Sequence, residues 1–212
     1  FCSGGSVTLT AAAGQTYAGS NGATTQSISV SQAGTYSATV TSSDGCTGIT
    51  STYATSVYLG ADTSVTTSGP LSFCDGGSVT LTAAPGQSYL WNTGDTTQSI
   101  TRSHSTSLYA IVTSQNGCVD TTSTYVTSVY LGADTSVTAS GPLSFCEGGA
   151  VTFTAASGQS YLWSTGDTTQ SISAITSGSY SATITTSNGC LGTTAPKFVN
   201  VYAEADTSVS VT

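Results

Sequence analysis

The chain repeats itself every 72 residues, and no other feature constrains its fold as strongly. Phe1-Cys2-Ser3-Gly4-Gly5, Phe73-Cys74-Asp75-Gly76-Gly77 and Phe145-Cys146-Glu147-Gly148-Gly149 stand in one register. Residues 57–72 and 129–144 agree at 15 of 16 positions, Thr67 against Ala139 being the single change. The second cysteine of each unit (Cys46, Cys118, Cys190) keeps the period, as do the stretches 24–28, 96–100 and 168–172. Self-similarity at this spacing means copies of one module laid end to end. A catalytic site is ordinarily unique in a chain, so a copied sequence points away from catalysis.

A module of about 70 residues buries only about 60–65% of the surface its unfolded chain exposes, so a covalent staple is useful. Two cysteines per module supply one. Six cysteines allow 15 pairings in principle. The simplest set under the repeat is within modules: Cys2 with Cys46, Cys74 with Cys118 and Cys146 with Cys190. Each such bond closes a loop of about 45 residues, worth up to about 4 kcal/mol by chain entropy. This usage implies an oxidising compartment. Zinc is a poor alternative, because cysteines 44 residues apart lack the close pairs and histidines of a tetrahedral site.

Charge is scarce. Arg102 and Lys197 are the only basic residues other than His104, against ten Asp and Glu, for a formal net charge of -8. Two separated cations make no phosphate-binding patch, so nucleic acid is excluded as a partner. An anionic membrane would repel this surface, and no apolar run approaches the length of a span. With neither Met nor a signal sequence at Phe1, the sequence reads as a mature product or an excised piece.

Period-two alternation opens each module: Val7, Leu9 and Ala11, then Val79, Leu81 and Ala83, then Val151, Phe153 and Ala155 point one way between Ser and Thr. No 3.6-residue period stands out. In the second copy, further strands are predicted at 88–92, 98–101, 107–113 and 124–131, parted by turns such as Asn116-Gly117. Six or seven short strands per module indicate an all-β, immunoglobulin-like sandwich. Trp91 and Trp163 sit one strand after the opening strand, where such folds bury a tryptophan. Tyr36 and Tyr180 each follow a Gly by two residues and match the tyrosine corner, while the second copy has Leu108 there. Leu81 and Ala110 occupy the places of the usual inter-sheet cysteines. The first copy has Gly19 in place of the tryptophan, so its core should be the worst filled.

The expected modules are 1–61 (first strand missing), 62–133 and 134–205, with 206–212 beginning a further repeat. Linkers at 60–64 and 132–136 are short and lack a Gly/Ser tract, which predicts a semi-rigid rod. The register suggests a window cut from a longer array. A strand-exchange filament subunit is the alternative, with 207–212 completing the edge at the start of the next subunit.

The pattern Phe-Cys-x-Gly-Gly-x-Val-Thr-(Leu/Phe)-Thr, then Tyr-Leu-Trp-x-Thr-Gly-Asp-Thr-Thr-Gln-Ser-Ile, then Asn-Gly-Cys resembles the immunoglobulin-like repeats of Bacteroidota surface proteins. Gliding-motility adhesins of the SprB type carry repeats that this pattern resembles. The resemblance implies secretion and extracellular display at the cell surface as a non-catalytic adhesive or spacing filament. Its partners would be neighbouring repeats and surface polysaccharide. No cofactor is implied. The first copy departs from the pattern over 17–23, so no role of the Trp and Asp carries over there.

Several residues invite a sharper reading. Asp95-Thr96-Thr97, Asp120-Thr121-Thr122 and Asp167-Thr168-Thr169 resemble the O-glycosylation acceptor of Bacteroidota, which makes Thr96, Thr121 and Thr168 candidates beside a simple Asp-led turn. Trp91 and Trp163, with Tyr89 and Tyr161, could stack sugars, which would make these carbohydrate-binding modules; core packing is the competing role. Asp62 with Asp75, and Asp134 with Glu147, flank the junctions, but calcium needs more oxygens than these supply. His104 aligns with Gln32 and Thr176 and is expected on an exposed loop, so neither a catalytic nor a metal site is assigned.

Overall fold

The computed structural model describes residues 1–205. The expected start of a further repeat, 206–212, and the strand-exchange segment 207–212 lie outside the described residues. The described chain is all β. The first repeat contributes β1 (Val7–Thr10), β2 (Thr16–Gly19), β3 (Ser27–Val30), β4 (Gly34–Tyr36), β5 (Ala38–Thr41), β6 (Thr47–Ile49) and β7 (Tyr53–Thr55). The second contributes β8 (Val65–Thr67), β9 (Ser72–Cys74), β10 (Val79–Ala83), β11 (Ser88–Trp91) and β12 (Ser99–Arg102). It continues with β13 (Thr106–Leu108), β14 (Ala110–Thr113), β15 (Val119–Thr121) and β16 (Tyr125–Tyr130). The third begins with β17 (Val137–Ala139), β18 (Ser144–Cys146), β19 (Val151–Ala155), β20 (Ser160–Trp163) and β21 (Ser171–Ala174). It closes with β22 (Gly178–Tyr180), β23 (Ala182–Thr185), β24 (Leu191–Thr193) and β25 (Lys197–Tyr202).

Strand starts recur at the 72-residue period, and so does their pairing. In the second repeat β10 lies between β8 and β12, β14 between β11 and β15, and β16 between β13 and β9. The third repeats all three arrangements. Most pairs are antiparallel; β9 with β16 and β18 with β25 are parallel. In the first repeat β1 has only β3 as its described neighbour. By compactness the described chain forms two units, one of residues 1–71, 79–102 and 106–127, the other of 72–78, 103–105 and 128–205.

The expected strand 107–113 is interrupted at Tyr109. Thr122 explains how the break is tolerated: its hydroxyl accepts from the Ala110 N–H at 2.9 Å, replacing a ladder partner. Thr50 and Thr194 do the same for Ala38 and Ala182, both at 2.9 Å. A buried N–H thus stays paired where the strands bend.

Alternation places the cores as predicted. Val79, Leu81, Ala83, Ile100, Leu108, Ala110 and Val112 are buried around Trp91. In the third repeat Phe153 packs on Trp163 and Tyr180, with ring centroids 6.5 and 5.6 Å apart. The second repeat has Leu81 and Leu108 at the same two positions, both fully buried. The tyrosine corner is present in the other two: the Tyr36 hydroxyl donates to Gln32 O at 3.3 Å and the Tyr180 hydroxyl to Thr176 O at 2.9 Å. These are immunoglobulin-like sandwiches.

The first repeat is the poorly filled one. A cavity of about 380 Å³ opens among Val7, Leu9, Gly19, Ile28, Tyr36 and Ala38, where its sister repeats hold an indole.

Candidate functional site

The within-repeat cysteine pairing is overturned. The bonds run Cys2–Cys118 and Cys74–Cys190, each spanning 116 residues, with Cα atoms 5.5 and 5.6 Å apart. Cys46 and Cys146 are unbonded and exposed. Each bond therefore joins the Phe-Cys segment of one repeat to the Asn-Gly-Cys turn of the following one.

Local structure shows why. β9 pairs in parallel with the end of β16, which sets Cys74 opposite Tyr130. Cys118 lies twelve residues earlier, before β15 and β16. β10 then leads away from Cys74 toward the turn where the Gln87 N–H donates to Thr113 O at 2.7 Å, beside the Cys118 hairpin. Cys74 thus meets the end of β16 beside Cys190, and Cys118 meets Tyr58 beside Cys2. The reading from sequence assumed that the two cysteines of one repeat share one end.

Each half of the bond is built before the sulfur is reached. The turn cysteine sits after a glycine in the left-handed region, Gly117 at φ 78° and Gly189 at φ 80°, a backbone that a side chain would strain. The cysteine N–H donates to a hydroxyl four residues back: Cys118 to Ser114 Oγ at 3.1 Å, Cys190 to Thr186 Oγ1 at 3.0 Å. On the other side, Asp75 N–H donates to Tyr130 O at 2.9 Å and Ser3 N–H to Tyr58 O at 2.8 Å, clamping the Phe-Cys segment. The bonded sulfurs of Cys118 and Cys190 lie 4.0 and 3.9 Å from the carbonyls of Tyr58 and Tyr130. Both turn cysteines are fully buried.

The two bonds also overlap in sequence, since Cys74 falls inside the loop closed by Cys2 and Cys118. The outcome is a covalent ladder, in which tension along the chain passes from bond to bond.

The tryptophans are not a sugar platform. Trp91 is 1% and Trp163 2% exposed, and their indole N–H groups donate to Thr97 O and Thr169 O at 2.9 and 2.8 Å. Buried rings with satisfied N–H groups offer no face to a glycan. Tyr89 and Tyr161 have a structural task that sequence reasoning missed: their hydroxyls accept from Gly86 and Gly158 N–H at 2.7 and 2.8 Å, closing the turn before the Trp strand. Tyr17 does the same with Gly14 at 2.7 Å in the first repeat. The Gly-x-x-Tyr spacing, Gly86-Gln87-Ser88-Tyr89, was the available signal.

The acceptor-like threonines Thr96, Thr121 and Thr168 are all exposed. Asp95 and Asp167 organise their own turns, accepting from Thr93 and Thr165 hydroxyls at 2.6 Å. Arg102 adds an ion pair to Asp95 in the second repeat. The Thr93 hydroxyl first, then the guanidinium, hold the Asp95 carboxyl below the usual carboxylate range. Asp62 is lowered too, by the Ser64 backbone N–H, which donates to it at 2.9 Å. Asp134 receives the same bond from Ser136 at 2.9 Å. Linker carboxylates therefore serve turns. Among the described residues no three His, Cys, Asp or Glu gather as a cation site. His104 is exposed, as expected.

No protein-family model and no curated protein matches the chain. Among solved structures it is similar to murine CEACAM1b, with 12% identity over 62% of this chain and 96% of that one and a TM-score of 0.32. An ectodomain fragment of ICAM-5 gives 14% identity over 82% and 60%, with a TM-score of 0.44. SGBP-B of the Bacteroides ovatus mixed-linkage glucan utilization locus, in complex with a mixed-linkage heptasaccharide, gives 14% over 95% and 65%, with a TM-score of 0.23. Values this low carry no functional argument.

Proposed function

We propose that this chain is a structural, adhesive repeat segment of a bacterial cell-surface filament or adhesin of the Bacteroidota gliding-motility type, without catalysis. The observation that carries the reading is the overlapping pair of disulfides, which makes a series of small sandwiches resistant to extraction under load. Such bonds suit an oxidising compartment, hence an extracellular location. Two further traits support it. Outward strand faces are Ser/Thr-rich, and Arg102 and Lys197 leave a trypsin-like protease two points of attack. Neighbouring repeats are the first partners, with surface polysaccharide as the adhesive target. Thr96, Thr121 and Thr168 are the proposed O-glycan sites, where a glycan would solubilise a chain with few charges.

An antibody raised against the folded chain should label the outside of intact cells of the source bacterium. Label found only after the cells are opened would overturn the reading. In a second test, the non-reduced chain should survive a broad-specificity protease as large disulfide-linked pieces, and rapid conversion to small peptides would argue against it.

A further inference from the structure

Cys46 and Cys146 are the cysteines that the ladder leaves over, and both are already shaped for bonding. Cys46 occupies the same turn as Cys118 and Cys190. It follows Gly45 at φ 79°, its N–H donates to Ser42 Oγ at 3.2 Å, and the Ser42 N–H returns to its carbonyl at 2.9 Å. Cys146 occupies the same strand end as Cys74. It stands opposite Tyr202 in the parallel pair of β18 with β25, and the Glu147 N–H donates to Tyr202 O at 2.8 Å. Every counterpart of Cys46 in this structure is bonded to a counterpart of Cys146, always 116 residues apart. The difference lies in the covering. Cys118 and Cys190 are buried under their partners, whereas Cys46 and Cys146 face solvent, and Tyr202 is more exposed than its counterpart Tyr130.

We propose that Cys46 and Cys146 are the open halves of two further rungs of the ladder: Cys146 takes a turn cysteine of the Cys46 type, Cys46 takes a strand-end cysteine of the Cys146 type, and a second copy of this chain can supply either. The second copy would continue the array in register, because the slot 116 residues beyond Cys146 is the one that a turn cysteine of Cys46 type fills when the 72-residue period runs on. The bond is asymmetric: a strand-end cysteine takes a turn cysteine, never its own kind. In chemical terms the two thiols lose two protons and two electrons to a small-molecule disulfide such as oxidised glutathione, which leaves as two reduced thiols. The inference rests on the cysteine register alone and stands apart from the surface reading above.

The test uses the 212-residue chain and its variants Cys46→Ser and Cys146→Ser under oxidised glutathione, read by non-reducing electrophoresis and mass spectrometry of linked peptides. The parent chain should form a head-to-tail ladder that reductant collapses, with a Cys46–Cys146 linked peptide between copies. Each variant alone should stay monomeric, and their equimolar mixture should give a dimer and nothing larger. Buried-type tryptophan emission verifies that both variants are folded. A folded parent chain that stays monomeric would overturn the proposal. So would Cys46–Cys46 or Cys146–Cys146 bonds, or a variant that dimerises alone as readily as in the mixture.

Discussion

Cys74 is bonded to Cys190, 116 residues away, and not to Cys118, its partner within the repeat. The parallel pairing of β9 with β16 carries Cys74 to Tyr130, and the sulfur of Cys190 lies 3.9 Å from that same tyrosine's carbonyl.

The ladder has a mechanical signature. With both bonds intact the shortest covalent path from Phe1 to Thr212 runs to Cys2, crosses to Cys118, returns to Cys74 and crosses to Cys190. At about 3.4 Å per residue, a path of about 67 residue steps stretches to about 230 Å, against about 720 Å for the reduced chain. Pulling single molecules with and without reductant measures both. Within-repeat bonds would instead give about 270 Å, and a linked peptide containing Cys74 and Cys118 would contradict the pairing directly.

Trp163 fills the centre of its sandwich, so Trp163→Ala should destabilise that repeat by about 3–5 kcal/mol. Chemical denaturation followed by far-UV circular dichroism reads this loss, while the remaining Trp91 emission reports the second repeat separately. The first repeat, with its cavity of about 380 Å³ beside Gly19, should exchange its amide hydrogens fastest of the three.

Tyr180→Phe removes the partly buried hydrogen bonds to Thr176 O and Thr176 Oγ1 and keeps the ring, and should cost about 1 kcal/mol. Tyr36→Phe should cost less, because its bond to Gln32 O is longer and more exposed. Matched thermal melts of the two variants test the order. A larger loss at Tyr36 would contradict that order.

Asp95 titrates below an ordinary carboxylate because the Thr93 hydroxyl and Arg102 hydrogen-bond its charged form. A depressed folded value means that its stabilising contribution is present above the unfolded value and is lost as pH falls through the folded one. Thr93→Ala, and Arg102→Ala to a lesser extent, should therefore move the Asp95 titration upward in carbon-detected NMR. Stability at neutral pH should change little, since the pair is on the surface. An unmoved titration would contradict the assigned cause.

Much of the fold was legible because its signals are local. Val79, Leu81 and Ala83 alternate, and alternation specifies a strand with one buried face wherever it occurs. Trp91 and Tyr180 could be placed because a sandwich of this kind has fixed slots for a large ring and for a corner hydroxyl. The interruption at Tyr109 was invisible, since the Thr122 hydroxyl that substitutes for a ladder bond is one threonine among many. Tyr89 was misjudged as an outward stacking candidate because its partner is a backbone N–H, which has no letter in the sequence.

By itself the sequence determined the period, the alternating opening strands and the cores, since each follows from spacing and side-chain type over a few residues. Tertiary structure alone decided which cysteines meet. A 72-residue repeat is equally satisfied by bonds of 44 and of 116 residues, because both connect the same two kinds of position. What distinguishes them is that the parallel pairing of β9 with β16 brings Cys74 to Tyr130 beside Cys190, while Cys118 lies at Tyr58 beside Cys2. These neighbourhoods, which the linear sequence does not contain, turned three expected internal staples into a ladder between repeats.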